Sequence, residues 1–248
     1  MISVIIPAYN CAEYMEQAVR SALLQTIEEE VEVIIIDDAS TDNTEETAEQ
    51  ITVNKSKRSL RYHRSEKNLG VAEARNMGIR MARGELLAFL DADDWWDLDK
   101  LKKQVELLKR TDAPLVYTGR ELMQPDGRPS GKKIAVPEMT AYRDLLRTNC
   151  IPCSSVLMKT KIAREFYMCH DELHEDYILW LRILKKYGRA YGINEPLLKS
   201  RLSAGGKSRN KFKSAKMHYG VYKYMGIPTW KAVWLFVCYA VNGVRKYR

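Results

Sequence analysis

At 248 residues and 46% hydrophobic composition, the chain can bury a real core, which excludes global disorder and fits one large domain or one domain with appendages. Its net charge of +8 is unevenly placed: from Lys199 onward there are 12 basic and no acidic residues, whereas the first 198 residues carry 28 basic and 32 acidic. Five cysteines, an odd number, argue against a disulfide framework and for a reducing compartment, and the longest apolar run, residues 232–241, falls short of the ~20 residues of a membrane-spanning helix.

In chain order, residues 3–6 (SVII) and 31–36 (VEVIII) read as short β-rich runs that end in polar residues. Residues 60–63 (LRYH), 85–90 (ELLAFL) and 114–118 (PLVYT) follow the same pattern. Helical patterns lie between them. In residues 12–25, Tyr14, Ala18, Ala22 and Gln25 recur every three or four positions. Residues 42–51 open with Asp42 and Glu45 at capping-box spacing, and residues 71–82 and 99–109 are also helical. Continuous apolar strands alternating with helices predict an α/β fold with a mostly parallel central sheet covered by helices on both faces. The opening decapeptide has no basic segment and its apolar run is broken by Pro7, so it does not read as a signal peptide.

After Thr118 the pattern loosens. Gln124-Pro-Asp-Gly127 reads as a turn at a hairpin tip. Residues 175–186 form a strong amphipathic helix with Ile178, Leu181, Ile183 and Leu184 among its apolar positions. Gly205-Gly206 opens a flexible basic segment, and residues 229–245 make a final helix that is apolar nearly all round. There is no internal repeat.

The polar residues gather at strand ends: Pro7-Ala8-Tyr9-Asn10, Asp37-Asp38-Ala39-Ser40 and Asp91-Ala92-Asp93-Asp94. In parallel sheets ligands bind beyond the carboxyl ends of the strands. One sheet edge would then collect an aromatic ring and up to five carboxylates, which repel one another unless a cation binds among them. Hard divalent ions such as Mg²⁺ suit oxygen ligands and keep positions open for phosphates. Asp42 is read as a helix cap. No Gly-x-Gly-x-x-Gly follows the first strand, and Gly206-Lys207-Ser208 lacks the earlier glycine of a phosphate-binding loop, since Arg201 stands there. No Gly-x-Ser-x-Gly element is present.

Five blocks, SVIIPAYN (3–10), DDASTDNT (37–44), NLGVAEARNMG (68–78), GELLAFLDADD (84–94) and EDYILWLR (175–182), resemble the family 2 glycosyltransferases in order and spacing over roughly residues 1–205. The resemblance implies a Rossmann-like GT-A catalytic domain over residues 1–204. Its nucleotide-sugar-binding half would be 1–118 and its acceptor-binding half 119–204, with a basic loop and C-terminal helices over 205–248. It implies inverting transfer from a nucleotide-sugar, most often a UDP-sugar, to a hydroxyl of a glycan or lipid-linked glycan in bacterial surface-polysaccharide synthesis. The protein would be cytoplasmic and peripheral on the inner face of the membrane. Carried over, Tyr9 would stack on the base beside Pro7, and Asp38 would accept a hydrogen bond from the base. Asn68 and Arg75 would line the nucleotide pocket. Asp91 would reach the ribose or metal-bound water, and Asp93 would hold the metal, Mn²⁺ or Mg²⁺. Asp176 would be the catalytic base, with Glu175 orienting the acceptor. Arg201 and the 205–209 loop, including Ser208, would close over the diphosphate. The other reading of Asp176 is a carboxylate favoured by its helix dipole.

The family's histidine two residues after the arginine is Ser203 here, which leaves metal binding to Asp93 and the phosphates. Cys150-Ile-Pro-Cys153, with Cys169-His170 and His174 downstream, matches no common zinc module and reads as buried, reduced cysteine. His63 is a strand residue. The basic tail admits three readings: membrane-surface binding, packing on the body or on another subunit as a homodimer, and nucleic-acid binding. Trp230, Trp234, Phe236 and Tyr239 share their helix with Val233, Leu235, Val237 and Val241, which favours the membrane. A non-catalytic nucleotide- or glycan-binding protein is the alternative from another class, against which the intact set Asp38, Asp91, Asp93 and Asp176 argues.

Overall fold

A computed structural model describes residues 1–53, 55–202 and 211–247. Ten strands form one sheet: β1 (Ile2–Ala8), β2 (Val31–Asp37), β3 (Arg58–Arg64), β4 (Leu86–Phe89), β5 (Trp95–Trp96), β6 (Leu115–Met123), β7 (Pro129–Ile134), β8 (Met139–Ala141), β9 (Leu157–Lys159) and β10 (Arg189–Arg201). The α-helices among the described residues are α1 (Ala12–Leu23), α2 (Thr44–Glu49), α3 (Val71–Met81), α4 (Lys100–Thr111), α5 (Tyr142–Leu145), α6 (Thr160–Phe166), α7 (Glu175–Tyr187), α8 (Lys211–Tyr224) and α9 (Thr229–Tyr247). The strand order is β3-β2-β1-β4-β9-β6-β10-β5. The first four strands are parallel, β9 runs antiparallel to both neighbours, β6 and β10 are parallel, and β5 is antiparallel to β10. The fold is therefore the expected α/β sheet, mostly parallel over its N-terminal half.

Strands β1 and β2 are buried along their whole length because both faces are covered. Their side chains alternate between two cores. Ile5, Ile34 and Ile36 join the core under α3, α6, α7, α8 and α9, while Val4, Ile6, Val33 and Ile35 join the core under α1, α2 and α4. Each such side chain contributes about 1.5–3 kcal/mol by leaving water. Helix α3 lies close on β1 at Gly78, where an added Cβ would stand 2.4 Å from Ile5 Cγ2.

Two local expectations change and one, the hairpin, holds. Asp42 and Glu45 do not form a capping box. Asp42 accepts the backbone N–H groups of Ala12 and Thr44, both at 3.1 Å, so one carboxylate serves the starts of α1 and α2. Glu45 pairs with Arg64 at 2.8 Å instead. The hairpin at Gln124-Pro-Asp-Gly127 forms between β6 and β7, with Gly127 at φ +83°. Helix α9 is not covered on all sides: Ala232 and Leu235 are buried, and Trp230, Val233, Trp234, Val237 and Val241 are exposed.

Candidate functional site

Because β2, β1 and β4 are parallel neighbours, their carboxyl ends deliver three loops to one edge. The loops after β1 and β2 are knitted together. Asn10, in the left-handed region at φ 49°, donates its backbone N–H to Ser40 Oγ at 3.0 Å and accepts Thr41 N–H at 2.8 Å on Oδ1. Pro7 is buried in β1 opposite Ile36, and it sets the strand end from which Tyr9 emerges. Tyr9 is 52% exposed, a large ring open at the edge.

The aspartates divide by environment. Asp37 is fully buried and used by the fold: Tyr62 Oη donates to it at 2.5 Å, the Ser40 N–H donates at 2.8 Å, and Arg64 stands at 3.5 Å. It is therefore not one of five open carboxylates. Asp38 accepts the N–H groups of Leu69 and Gly70, each at 2.8 Å, just ahead of α3. Asn68 is exposed and donates to the Asp38 carbonyl at 3.2 Å. These bonds place the 68–70 loop beside the Asp38 carboxyl group.

The turn after β4 holds the remaining three. Asp91 donates its N–H to Ser154 Oγ at 3.0 Å and accepts Arg75 Nη2 at 2.6 Å. Asp93 is partly exposed. Asp94 is buried and accepts the Arg201 N–H at 3.0 Å. Burial, followed by the charges of Asp91 and Asp93, holds the Asp94 carboxyl well above the usual range.

Arg75 departs most from the sequence reading. It is buried, and its second nitrogen, Nη1, donates to Glu175 Oε1 at 2.8 Å. The expected lining residue of a nucleotide pocket thus bridges the β4 turn and the start of α7. Its neighbour Asn76 donates to the Met168 carbonyl and accepts the Met168 N–H, both at 2.8 Å, which fixes the segment leading to α7. Asp176 is partly exposed and accepts the Tyr177 N–H at 2.7 Å. Burial and then the adjacent Glu175 raise its carboxyl to about 6, against the opposing pull of Arg75 and His174. A base of that strength is half-ionised near pH 6 and mostly ionised at neutrality, close to the range a general base needs.

Arg201 also departs. Its guanidinium lies between the rings of Tyr14 and Trp95, 4.5 and 4.9 Å from their centroids. Nε donates to the Asp93 carbonyl, Nη1 to the Pro125 carbonyl and Nη2 to Gln17 Oε1. Arg201 is 9% exposed. Its donors fasten the acidic turn and the 124–127 hairpin rather than open toward a ligand. Ser208 lies outside the described residues. Among those residues, no three His, Cys, Asp or Glu side chains form a ready metal cage.

Sequence reasoning missed Tyr14, Gln17, Trp95 and Ser154, which brace the acidic turn. It also missed Cys153, whose buried thiol is pushed well up and sits in the fields of Arg75, Asp91, Asp176 and Glu175. Trp95 directly follows the Asp-x-Asp-Asp run and was the nearest legible signal; the others come from distant segments. Cys150 lies by Thr140 Oγ1 at 3.6 Å and Cys169 by Tyr224 Oη at 3.5 Å, and none of the five cysteines forms a disulfide.

Residues 3–164 match the profile of "Glycosyl transferase family 2". The chain is 38% identical, over 99% of its own length and 97% of the relative's, to TuaG of Bacillus subtilis (strain 168), which is named for teichuronic acid biosynthesis. It is 33% identical, over 100% of its length and 95% of the relative's, to the Escherichia coli UDP-Glc:alpha-D-GlcNAc-diphosphoundecaprenol beta-1,3-glucosyltransferase WfaP. In fold it is similar to the mannosyltransferase PcManGT of Pyrobaculum calidifontis in complex with GDP-Man and Mn²⁺. The TM-score is 0.70 at 20% identity, over 92% of this chain and 65% of that one.

Proposed function

The chain belongs to glycosyl transferase family 2 and has the GT-A fold, and on that premise we propose that it transfers a sugar, with inversion, from a UDP-sugar to a hydroxyl of a lipid-linked glycan in bacterial surface-polysaccharide synthesis. The names of TuaG and WfaP support the pathway, the donor and the acceptor class. The observation that carries the reading is the Arg75 bridge, which brings the donor-side Asp91 and the acceptor-side Glu175-Asp176 pair to one buried cation.

In this reading Tyr9 stacks on the base beside Pro7, while Asp38 and Asn68 frame its edge. Asp91 faces the ribose. Residues 1–118 form the donor half and 119–204 the acceptor half. Asp176 takes the proton of the acceptor hydroxyl as that oxygen attacks the anomeric carbon from the side opposite the leaving diphosphate, which inverts the centre. Glu175, held by Arg75, orients the acceptor and adds to the effect of burial in raising the Asp176 carboxyl. Arg201 keeps the acidic turn in place.

The donor set fits a hard divalent cation. Three carboxyl groups share one turn, and burial, followed by the charges of Asp91 and Asp93, drives Asp94 toward its neutral form. Asp93 would hold Mn²⁺ or Mg²⁺ together with Asp91. When bound, the ion supplies positive charge to the departing diphosphate oxygens. PcManGT, solved with Mn²⁺, supports that choice.

No helix among the described residues is long and apolar enough to cross a membrane. In the proposed reading the enzyme meets its lipid-linked acceptor at the inner face of the membrane as a peripheral protein. The deciding experiment offers a panel of nucleotide-sugars with an undecaprenyl-type acceptor and Mn²⁺. Transfer from a UDP-sugar is expected, with loss on Asp176→Asn while UDP still binds. Full transfer by that variant would remove Asp176 from the role.

A further inference from the structure

Helix α9 has two different faces. Inward, Ala232 and Leu235 are buried in the core that also holds Tyr177, Val221 and Tyr222. Tyr239 stacks on His218 with centroids 3.6 Å apart, and His218 stacks in turn on Tyr177 at 4.8 Å. Tyr177 directly follows Asp176 and gives it a backbone hydrogen bond. Outward, Trp230 is 77% exposed, Val233 and Trp234 51%, Val237 56% and Val241 47%. Their spacing of three and four residues sets all five on one stripe, roughly 16 Å long at 1.5 Å per residue. Phe212, near the start of α8, is 91% exposed. Monomeric proteins rarely leave so continuous an apolar ridge open to water.

Charge selects the occupant. Leaving aside Lys199 and Arg201, which are engaged in the body, the segment from Leu202 to the C-terminus has 10 basic and no acidic residues, and Lys231 is exposed within the helix itself. The Arg147 guanidinium lies 5.5 Å from the Trp234 ring. A second copy related by two-fold symmetry would bring two such segments together, and like charges would oppose that contact. An anionic bilayer instead meets the ridge with hydrocarbon and the lysines with its headgroups.

We propose that the outward face of α9 docks in the surface of an anionic bilayer, with Trp230 and Trp234 as its anchors. The inward aromatic stack then holds the Asp176 end of α7 at a fixed position relative to the lipid plane. This consequence rests on the lipid-linked acceptor proposed above; the docking itself does not.

The test uses the full chain and a Trp230→Glu/Trp234→Glu variant, both at exposed sites, with circular dichroism and UDP binding checked as unchanged. Wild type should float with vesicles of phosphatidylcholine and phosphatidylglycerol and not with phosphatidylcholine alone. The variant should lose at least about tenfold in vesicle affinity. Transfer to a lipid-linked acceptor in vesicles should fall in parallel, and transfer to a detergent-free, water-soluble acceptor analogue should hold. Equal flotation of variant and wild type overturns the docking, as does a wild-type dimer that the substitutions dissociate without any vesicle binding. If flotation is lost but transfer to the lipid-linked acceptor is intact, the docking stands and the lipid-linked reading of the acceptor falls.

Discussion

Arg75 and Glu175 lie 100 residues apart and meet as a buried ion pair, Nη1 to Oε1 at 2.8 Å. The same guanidinium binds Asp91 at 2.6 Å, and its Nε is buried without a hydrogen-bond partner. One cation thus offsets two carboxylates from opposite halves of the sheet edge. Replacing Arg75 by Met should leave the buried Glu175 without this cation, at a cost of up to about 3–5 kcal/mol in urea unfolding. Adding Glu175→Gln should recover part of that loss, because a neutral amide does not need the cation. Transfer should stay low in the double variant, since Asp91 and the start of α7 are no longer tied together. Full activity in the double variant would show that the bridge serves stability alone.

Asp176 carries a pH prediction. Its carboxyl is raised from 3.8 to about 6. As a base it must be ionised, so kcat/KM should rise tenfold per pH unit below about 6 and level off above. The stability effect has the opposite direction. A carboxyl raised in the folded state stabilises the fold below its unfolded value of 3.8, and that contribution is lost as the pH rises through about 6. Asp176→Asn should therefore raise stability at pH 7.5 by roughly 1–3 kcal/mol while abolishing transfer. Thermal melts of both proteins from pH 4 to 8 check this, and the gap between them should close toward pH 4.

The parts legible in the sequence are those with a local signature. Strands β1, β2 and β4 are covered on both faces, so their runs are largely apolar, and the buried Ser3 and Glu32 within them hydrogen-bond to each other. Strand β5 is two residues long and exists by pairing with Leu198 and Lys199. Strand β10 carries a bulge between Ile193 and Leu198, around Pro196, which breaks any alternation. At the site, Asp37 and Asp38 are adjacent and alike in sequence. Only the β2–β3 register, which sets Asp37 beside Arg64 and near Tyr62, turns the first into a structural group. The Arg75–Glu175 pair leaves no periodic trace because its partners belong to α3 and α7. Arg201 lies outside the five blocks and is placed only by the family resemblance, whereas its environment comes from Tyr14, Trp95 and Gln17.

Gly78 closes the NLGVAEARNMG block for a packing reason. A Cβ there would meet Ile5 Cγ2 at 2.4 Å and Cγ1 at 2.9 Å, so α3 must withdraw from β1 or Ile5 must leave its rotamer. Overpacking of this kind costs about 1–3 kcal/mol despite alanine's better helix propensity. Gly78→Ala should lower the urea midpoint accordingly, and Ile5→Ala, which removes Cγ1, Cγ2 and Cδ1, should cost less in the Gly78→Ala background than alone.

Asp93 should control the metal response. Chelation with EDTA should abolish transfer, and Mn²⁺ or Mg²⁺ should restore it. In Asp93→Ala the metal-dependent gain in UDP affinity, read by calorimetry with and without the ion, should fall at least about tenfold, as even outer-shell changes do at metal sites. Metal-free UDP binding should change little, because Tyr9 and Asp38 contact the nucleoside in the proposed arrangement. An unchanged metal response would move the ion away from this turn.

Arg201 separates two roles by its response to a lysine. If it acted mainly as positive charge on the diphosphate, Arg201→Lys would keep much of its effect, and stability would be unchanged. The structure uses the planar guanidinium instead: it is sandwiched between Tyr14 and Trp95, with donors spread over the Asp93 carbonyl, the Pro125 carbonyl and Gln17. An ammonium cannot satisfy those three directions while stacking on two rings. Arg201→Lys should therefore cost about 1–3 kcal/mol of stability by leaving buried acceptors unpaired. The Asp91–Asp94 turn would loosen with it, so KM for the nucleotide-sugar should rise more than kcat falls. A loss of kcat at unchanged stability and KM would instead place the charge of Arg201 on the leaving group.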